Sequence, residues 1–286
     1  MSIVIDTTYR STRGRKPSRP AFAYEFHNDD SGGTSVVDRF GNAAALTLQG
    51  TLDTAWTASR GFWRPNGTDA HALPGDSYGA LDVVADGLIT QGRGLLVSWR
   101  FGWIGSKGST TECILCIGRS HSSSALVQFN NNSTGLLNLV MRGLGASATT
   151  GATFGSSGLY VADQIYTGAI YVEPTADGFD ALGFLDGVSV GTLQSYSWLA
   201  NGGSVPSAST FNAPDGLTVG AQRAGSNPAS PTWAQRVGAT SGGGAGTVIS
   251  NLRVVNLEQA NVSVAADLAL EFHQYPRAFG EILAGL

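Results

Sequence analysis

Hydrolysis of a glycosidic bond needs two carboxylates roughly 5–10 Å apart, one as acid and the other as base or nucleophile. On a single strand that spacing means acids at i and i+2 or i+4, which share a face. The glutamates of this chain stand singly, at Glu25, Glu112, Glu173, Glu258, Glu271 and Glu281, so no strand carries such a cluster. Pairs drawn from distant strands are left to the tertiary structure. Other catalytic signatures are missing as well. Residues 238–242 read GATSG, with threonine where a nucleophile elbow has serine. GSKGST at 105–110 lacks the spacing of a phosphate loop. His27, His71, His121 and His273 are far apart in sequence and show no paired metal-ligand spacing. The expectation is a protein that is not an enzyme, with no catalytic residues and no metal site.

Binding chemistry has more candidates. His27, Asn28, Asp29 and Asp30 form a dense run of oxygen donors that could hold Ca²⁺; the alternative is a polar turn after a strand, which Asn and Asp favour through bonds to their own backbone. No other cofactor is expected. Sugar recognition needs an aromatic platform beside planar polar groups. Trp233 with Gln235 and Arg236, Tyr196 with Trp198, and His121 with Asn131 and its neighbours Asn130 and Asn132 meet that description. Each aromatic could equally be core or a protein interface, where Trp and Tyr are also enriched. Trp99 and Trp103 lie in an apolar strand and read as core.

The elements that must position these groups are strands. Charged residues are only 13% of the 286, 39 are glycine, and hydrophobic residues still reach 42%. That balance suits many short strands and Gly-rich turns rather than disorder. AFAYEF puts Phe22, Tyr24 and Phe26 on one face. Asn66-Gly67, Asp177-Gly178 and Asp186-Gly187 mark hairpins, because Asn-Gly and Asp-Gly supply the positive φ of primed turns. The last of these pairs Leu185 with Val188 and Gly183 with Val190. Leu185, Val188 and Val190 then share one sheet face; Phe184, Ser189 and Gly191 share the other. At least ten strands without alternating helices predict an all-β, antiparallel two-sheet sandwich. Residues 146–158, 201–215 and 223–246 read as long loops.

The two ends differ from the middle. Arg10, Arg13, Arg15, Lys16 and Arg19 fall within ten residues together with two prolines, which describes an extended basic arm, residues 1–20. Such an arm is either a solvated tail or an anchor lying along an acidic partner surface. At the other end the period changes: Ser263 is a plausible N-cap, and Val264, Leu268 and Phe272 recur at helical spacing before Pro276. This predicts a short helical tail, residues 261–286, packed on a sandwich formed by residues 21–260.

Several function classes are disfavoured. A net charge of −4 argues against a general nucleic-acid binder. The N-terminus has no apolar stretch of the secretory kind, and no run approaches the roughly 18 apolar residues of a membrane span. Cys113 and Cys116, three apart on a strand, are expected on opposite faces and therefore as two buried, reduced thiols. That fits folding in a reducing cytoplasm.

Five segments in order carry a resemblance: DRFGNAAALTLQG (38–50), GFWRPNGTDAHALPG (61–75), FLDGVSVG (184–191), LTVGAQR (217–223) and GTVISNLRVVN (246–256). The chain resembles the laminin-G-like, concanavalin-A-like jelly-roll superfamily over roughly residues 22–257. Its helical ending, FHQYPRAFGEIL, is similar to that of concanavalin-A-like proteins from bacteriophage virions, although Gln274-Tyr275-Pro276-Arg277 stands where those have an Asn-Pro-Trp triplet. The resemblance implies a jelly roll and a non-enzymatic virion structural protein, a capsid decoration or a tail or fibre component, assembled in the host cytoplasm. Its partners would be other virion proteins through the basic arm, further copies of itself, and host-surface glycans through its loops, with no nucleic acid and no membrane insertion. The alternative is a free-standing lectin or adhesion module; a glycan depolymerase comes third.

Overall fold

The computed structural model describes residues 18–26, 35–43, 45–49, 71–74, 79–103, 111–121, 124–132, 134, 136–156, 161, 164–211, 216–225, 232–235, 237 and 247–274. Strands dominate these residues, and the fold is an all-β sandwich of two antiparallel sheets.

The first sheet has six strands in the order β1 (Ser18–Glu25), β16 (Thr247–Leu257), β5 (Gly94–Trp103), β10 (Ile165–Pro174), β11 (Gly178–Leu185), β12 (Val188–Ser197). The second has eight: β2 (Ser35–Val36), β3 (Leu46–Gln49), β4 (His71–Pro74), β13 (Leu217–Val219), β6 (Glu112–Gly118), β7 (Leu126–Asn131), β8 (Leu137–Arg142), β9 (Thr150–Phe154). A separate hairpin pairs β14 (Gln222–Ala224) with β15 (Thr232–Ala234). One continuous core lies between the large sheets. It takes Phe22, Tyr24, Val97, Trp99, Phe101, Ile170 and Val172 from the first, and Ile117, Val127, Phe129, Leu137, Leu139 and Phe154 from the second. The sheets approach closely because small residues face large ones: a Cβ on Gly183 would lie 2.5 Å from Cβ of Phe154. The strand alternation seen in the sequence is thus the alternation between this core and the two outer faces.

The Asp186-Gly187 turn adopts the expected geometry, with φ of 48° and 78°, and its register pairs Leu185 with Val188, Phe184 with Ser189 and Gly183 with Val190. Leu185 and Val190 pack against the main core, whereas Val188 is exposed. On the other face Phe184 lies beneath the C-terminal helix α3 (Val262–Gln274). That helix seats Leu268 and Ala269 against Leu96, Ala169, Tyr171 and Leu182 on the outer face of the six-stranded sheet. Its cap is Asn261 rather than Ser263: Asn261 Oδ1 accepts the backbone N–H groups of Ser263 and Val264.

Three segments depart from expectation. Residues 79–89, in a stretch where no helix is expected among the strands, form helix α1 (Gly79–Ile89), which buries Val83, Val84, Ala85 and Leu88 in the main core. The stretches read as long loops contain β9, the 3₁₀ turn Ala200–Gly202 with the short helix α2 (Ala208–Phe211), and the β14–β15 hairpin. Strand β1 starts at Ser18, so Arg19 of the basic stretch belongs to the sheet, its backbone paired with Asn256. Arg10, Arg13, Arg15 and Lys16 lie outside the described residues, as do the Asn66-Gly67 turn, Pro276 and the His27–Asp30 cluster.

A buried carboxylate organises the opposite edge. Asp38, 4% exposed, accepts four backbone N–H bonds: from Ala23 and Phe40 at Oδ1 (2.7 and 3.1 Å), and from Asn42 and Ala43 at Oδ2 (2.7 and 2.8 Å). The DRFGNA motif is therefore a turn wound around its own first side chain, and it ties β1 to the β2–β3 connection. Burial, reinforced by the negative charge of Asp38, pushes the Tyr24 hydroxyl well above the ordinary tyrosine range.

Candidate functional site

The outer face of the eight-stranded sheet gathers uncharged polar groups. Register places Cys116 beside Gln128, Cys113 beside Asn130, and Asn130 beside Asn138, which in turn faces Thr153 on the edge strand β9. A bulge at Ile114 makes this row possible. Between Cys113 and Leu115 the register of β6 shifts by one residue against β7, so Cys113 and Cys116 share a face instead of lying on opposite ones. Both are free and buried, in one cluster with Leu126. Burial, with the Cys116 thiol beside it, pushes the Cys113 thiol up and leaves it unreactive.

The β14–β15 hairpin folds over one end of this row and is held by amides. Gln128, fully buried, accepts from Gln222 Nε2 at 3.2 Å and donates Nε2 to Gln235 Oε1 at 3.3 Å and to Cys113 Sγ at 3.6 Å. The backbone closes the same contact, because the Cys113 N–H donates to the Gln235 carbonyl at 2.7 Å. Gln235 sits at a positive φ of 46°, which turns its side chain back toward the sheet. Beyond the hairpin the row opens toward solvent. Asn130 donates Nδ2 to Asn138 Oδ1 at 3.2 Å, and Asn138 donates to Thr153 Oγ1 at 3.3 Å and to the Ala152 carbonyl. Asn130 Oδ1 is buried without a partner, an acceptor left over in an otherwise bonded chain of amides. Val140 and Arg142, both half-buried, flank Asn138 along β8.

The candidates from the sequence divide accordingly. Gln235 belongs to the amide row. Trp233 is on the same hairpin, its backbone opposite Arg223; its side chain and the whole of Arg236 lie outside the described residues. His121 is half-buried in the turn after β6, where Ser120 bridges to Ala224 of β14, so it borders the hairpin. The other three are elsewhere. Trp198 is 1% exposed and packs edge-on against Phe179 at 5.3 Å and beside Phe211, which makes it core. Asn131 is buried on the inner face, where its Oδ1 accepts the indole N–H of Trp99. Tyr196 is half-buried on β12 against Phe179, and burial raises its hydroxyl pKa. The amides Gln128, Asn130, Asn138 and Gln222 carry the row without having been selected as a group. The only sequence signal of Gln128, Asn130 and Asn138 is alternation with core residues along β7 and β8, and Gln222 on β14 has none.

One carboxylate pair invisible along the sequence forms on the six-stranded sheet. Glu173 and Asp180 stand directly opposite on β10 and β11. The Tyr171 hydroxyl donates to Glu173 Oε2 at 2.9 Å and the Ser195 hydroxyl to Asp180 Oδ1. Burial and these two carboxylates push the Tyr171 hydroxyl far above the ordinary tyrosine range. Among the described residues no group of three or more His, Cys, Asp and Glu side chains is placed to hold a metal ion, and no helix is long and apolar enough to cross a membrane.

No known protein family matches the chain and no curated protein matches it. Solved structures do. The chain is similar to the binding domain of botulinum neurotoxin DC, seen in complex with rat synaptotagmin II, at TM-score 0.52 and 9% identity, over 90% of this chain and 52% of that one. It is similar to a botulinum neurotoxin type C structure described as dependent on two ganglioside molecules for cell entry, at TM-score 0.51 and 8% identity, over 90% and 51%. A Trypanosoma rangeli sialidase in complex with 2,3-difluorosialic acid matches at TM-score 0.51 and 11% identity, over 91% of this chain and 33% of that one. The chain thus spans about half the length of the toxin structures and a third of the sialidase. At these identities the likeness establishes a shared β-sandwich, jelly-roll-like fold.

Proposed function

We propose that this protein is a non-enzymatic carbohydrate-binding adhesion module, and that its ligand lies on the amide row of the eight-stranded sheet beside the β14–β15 hairpin. The observation that carries this reading is the run from Gln235 through Gln128 to Asn130 and Asn138, ending in an unpartnered buried acceptor and an open rim. Planar amides offer paired donors and acceptors that match vicinal sugar hydroxyls, and Trp233 on the hairpin would supply the aromatic platform. The fold shared with toxin binding domains, one of them tied by its description to gangliosides, favours the same class. Binding of the full chain to an array of host-surface glycans, followed by calorimetry on the hits, tests it. Saturable binding weakened at least tenfold by Asn138→Ala is expected. Absence of saturable binding to any glycan, or binding indifferent to that substitution, would overturn it.

The finer reading is a bacteriophage virion protein, a capsid decoration or a tail or fibre component, anchored by Arg10, Arg13, Arg15, Lys16 and Arg19. Five cations in ten residues favour an acidic partner surface, with attraction that salt weakens. Crosslinking mass spectrometry of the intact particle is the test: arm lysine and arginine contacts to another virion protein support it, and an arm free in the particle refutes it.

A second activity reading has one observation in its favour. Residues directly opposite on antiparallel strands have Cβ atoms about 4.5–5.5 Å apart, close to the carboxyl spacing of a retaining glycosidase, and Glu173 and Asp180 are such a pair. Release of reducing sugar from a bound glycan, abolished by Glu173→Gln, would establish hydrolysis. Binding without release keeps the module non-enzymatic.

A further inference from the structure

Two outer segments of the sandwich carry no charge of their own. Residues 143–162 and 187–214 contain no Asp, Glu, Lys, Arg or His, in a chain where 13% of residues are charged. The fold brings these two segments together: Leu144 and Ser204 exchange backbone bonds, the Ser147 N–H donates to the Asn201 carbonyl, and Gln194 Nε2 reaches the Thr153 carbonyl. Within them are the outer strands of both sheets, β9 and β12. Exposed apolar side chains concentrate on the same side: Val188, Leu193, Leu199 and Val205 are 65, 47, 49 and 42% exposed, and Leu270 of α3 lies against Gly187. The opposite side is finished differently. There β2 is only two residues long, Tyr24 bridges to Asp38, and Arg39 pairs with Glu25 at 3.2 Å.

An open edge is normally blunted by lysine, proline or inward-pointing charge, and β12, reading VSVGTLQSYS over ten residues, has none of these. It has a bulge, at the register shift opposite Ala181–Gly183, which leaves Gln194–Ser197 as a regular run beyond it. We infer that this edge is the interface between two copies of the chain, which pair their charge-free β12 strands antiparallel about a two-fold axis near Tyr196. One consideration selects a second copy as the occupant. A two-fold contact sets each residue against the same patch of its mate, so any charge would meet its own sign; molecules of net charge −4 associate most readily through a face with none. Pairing the regular run Gln194–Ser197 of each copy also lets the edge amides of one satisfy those of the other, with the exposed Leu193 at its border.

Sedimentation velocity on the full chain tests this, with thermal melting as the check on folding. The wild type sediments as a dimer at micromolar concentration, in the range of stable interfaces. Leu193→Lys raises the dimer dissociation constant by about tenfold or more, as for loss of an apolar interface contact, with the melt preserved. Val37→Lys, on the opposite side, changes nothing. A wild type that stays monomeric at about 100 μM, a dimer indifferent to Leu193→Lys, or edge amides of β12 protected from exchange only when a different protein is bound would each overturn it.

Discussion

Replacing Gln128 by leucine removes the amide that joins the candidate face to its hairpin while nearly conserving volume. Three side-chain bonds disappear, to Gln222, Gln235 and the Cys113 thiol. Each intramolecular bond contributes about 1 kcal/mol net, and a buried donor left without a partner costs about 1–3 kcal/mol. Gln222, 8% exposed, cannot turn its amide fully to water, whereas the half-buried Gln235 can. Leucine recovers part of the loss by packing on Leu126 and Cys113, neighbours in the same buried cluster. The balance is a destabilisation of about 2–3 kcal/mol. It should be concentrated locally, because the hairpin's remaining backbone ties include only the Cys113–Gln235 bond, that from Val237 N–H to the Gly220 carbonyl, and the Ser120 N–H to Arg223 carbonyl bond at its base. Hydrogen exchange followed by mass spectrometry, beside urea unfolding, reads both quantities. Protection of the peptides covering 222–235 should fall several-fold more than that of β7 and β8. Unchanged hairpin protection, or a urea midpoint indistinguishable from wild type, would refute the role assigned to this amide.

Asp38→Ala strands four backbone donors, one of them the buried Ala23 N–H, and should cost about 3–5 kcal/mol in chemical denaturation. Gly187→Ala places a Cβ 2.9 Å from Cα of Leu270 at a φ of 78°, so the turn or α3 must shift; a loss of about 2 kcal/mol is expected from strain and repacking. The Cys113 thiol has a folded-state pKa above its unfolded value, so its contribution is complete below the unfolded value of 9.0 and is lost as pH rises above it. The wild type should therefore lose about 1.4 kcal/mol per pH unit more than Cys113→Ala above that point, and native protein should resist iodoacetamide until unfolded. Trp198→Ala should destabilise by about 3–5 kcal/mol yet leave glycan affinity of the folded fraction unchanged.

What the sequence determined by itself is whatever depends on a few neighbouring residues. The Asp186-Gly187 hairpin was legible down to its register because positive φ at two successive positions is a local demand. The face carrying Phe22, Tyr24 and Phe26 was legible because alternation is local, and α3 because its apolar period is. The dipeptide Asp86-Gly87 shows the boundary of that legibility. The same two residue types that turn the chain at 186–187 continue a helix at 86–87, where Gly87 lets α1 lie against Leu95 and the Gly94 carbonyl, about 3 Å from where a Cβ would be. Tertiary packing chose between the two conformations.

The candidate face needed the tertiary structure throughout. Gln128 meets Gln235 across a separation of 107 residues and Gln222 across 94, through strand crossovers that no short pattern encodes. The single bulge at Ile114 moved Cys113 onto the face of Cys116, reversing an inference drawn correctly from strict alternation. Glu173 and Asp180, seven positions apart in the chain, became opposite neighbours because the intervening turn closes between them. In each case the deciding quantity was register, and register is fixed by the sum of contacts over a whole sheet rather than by the residues that end up side by side.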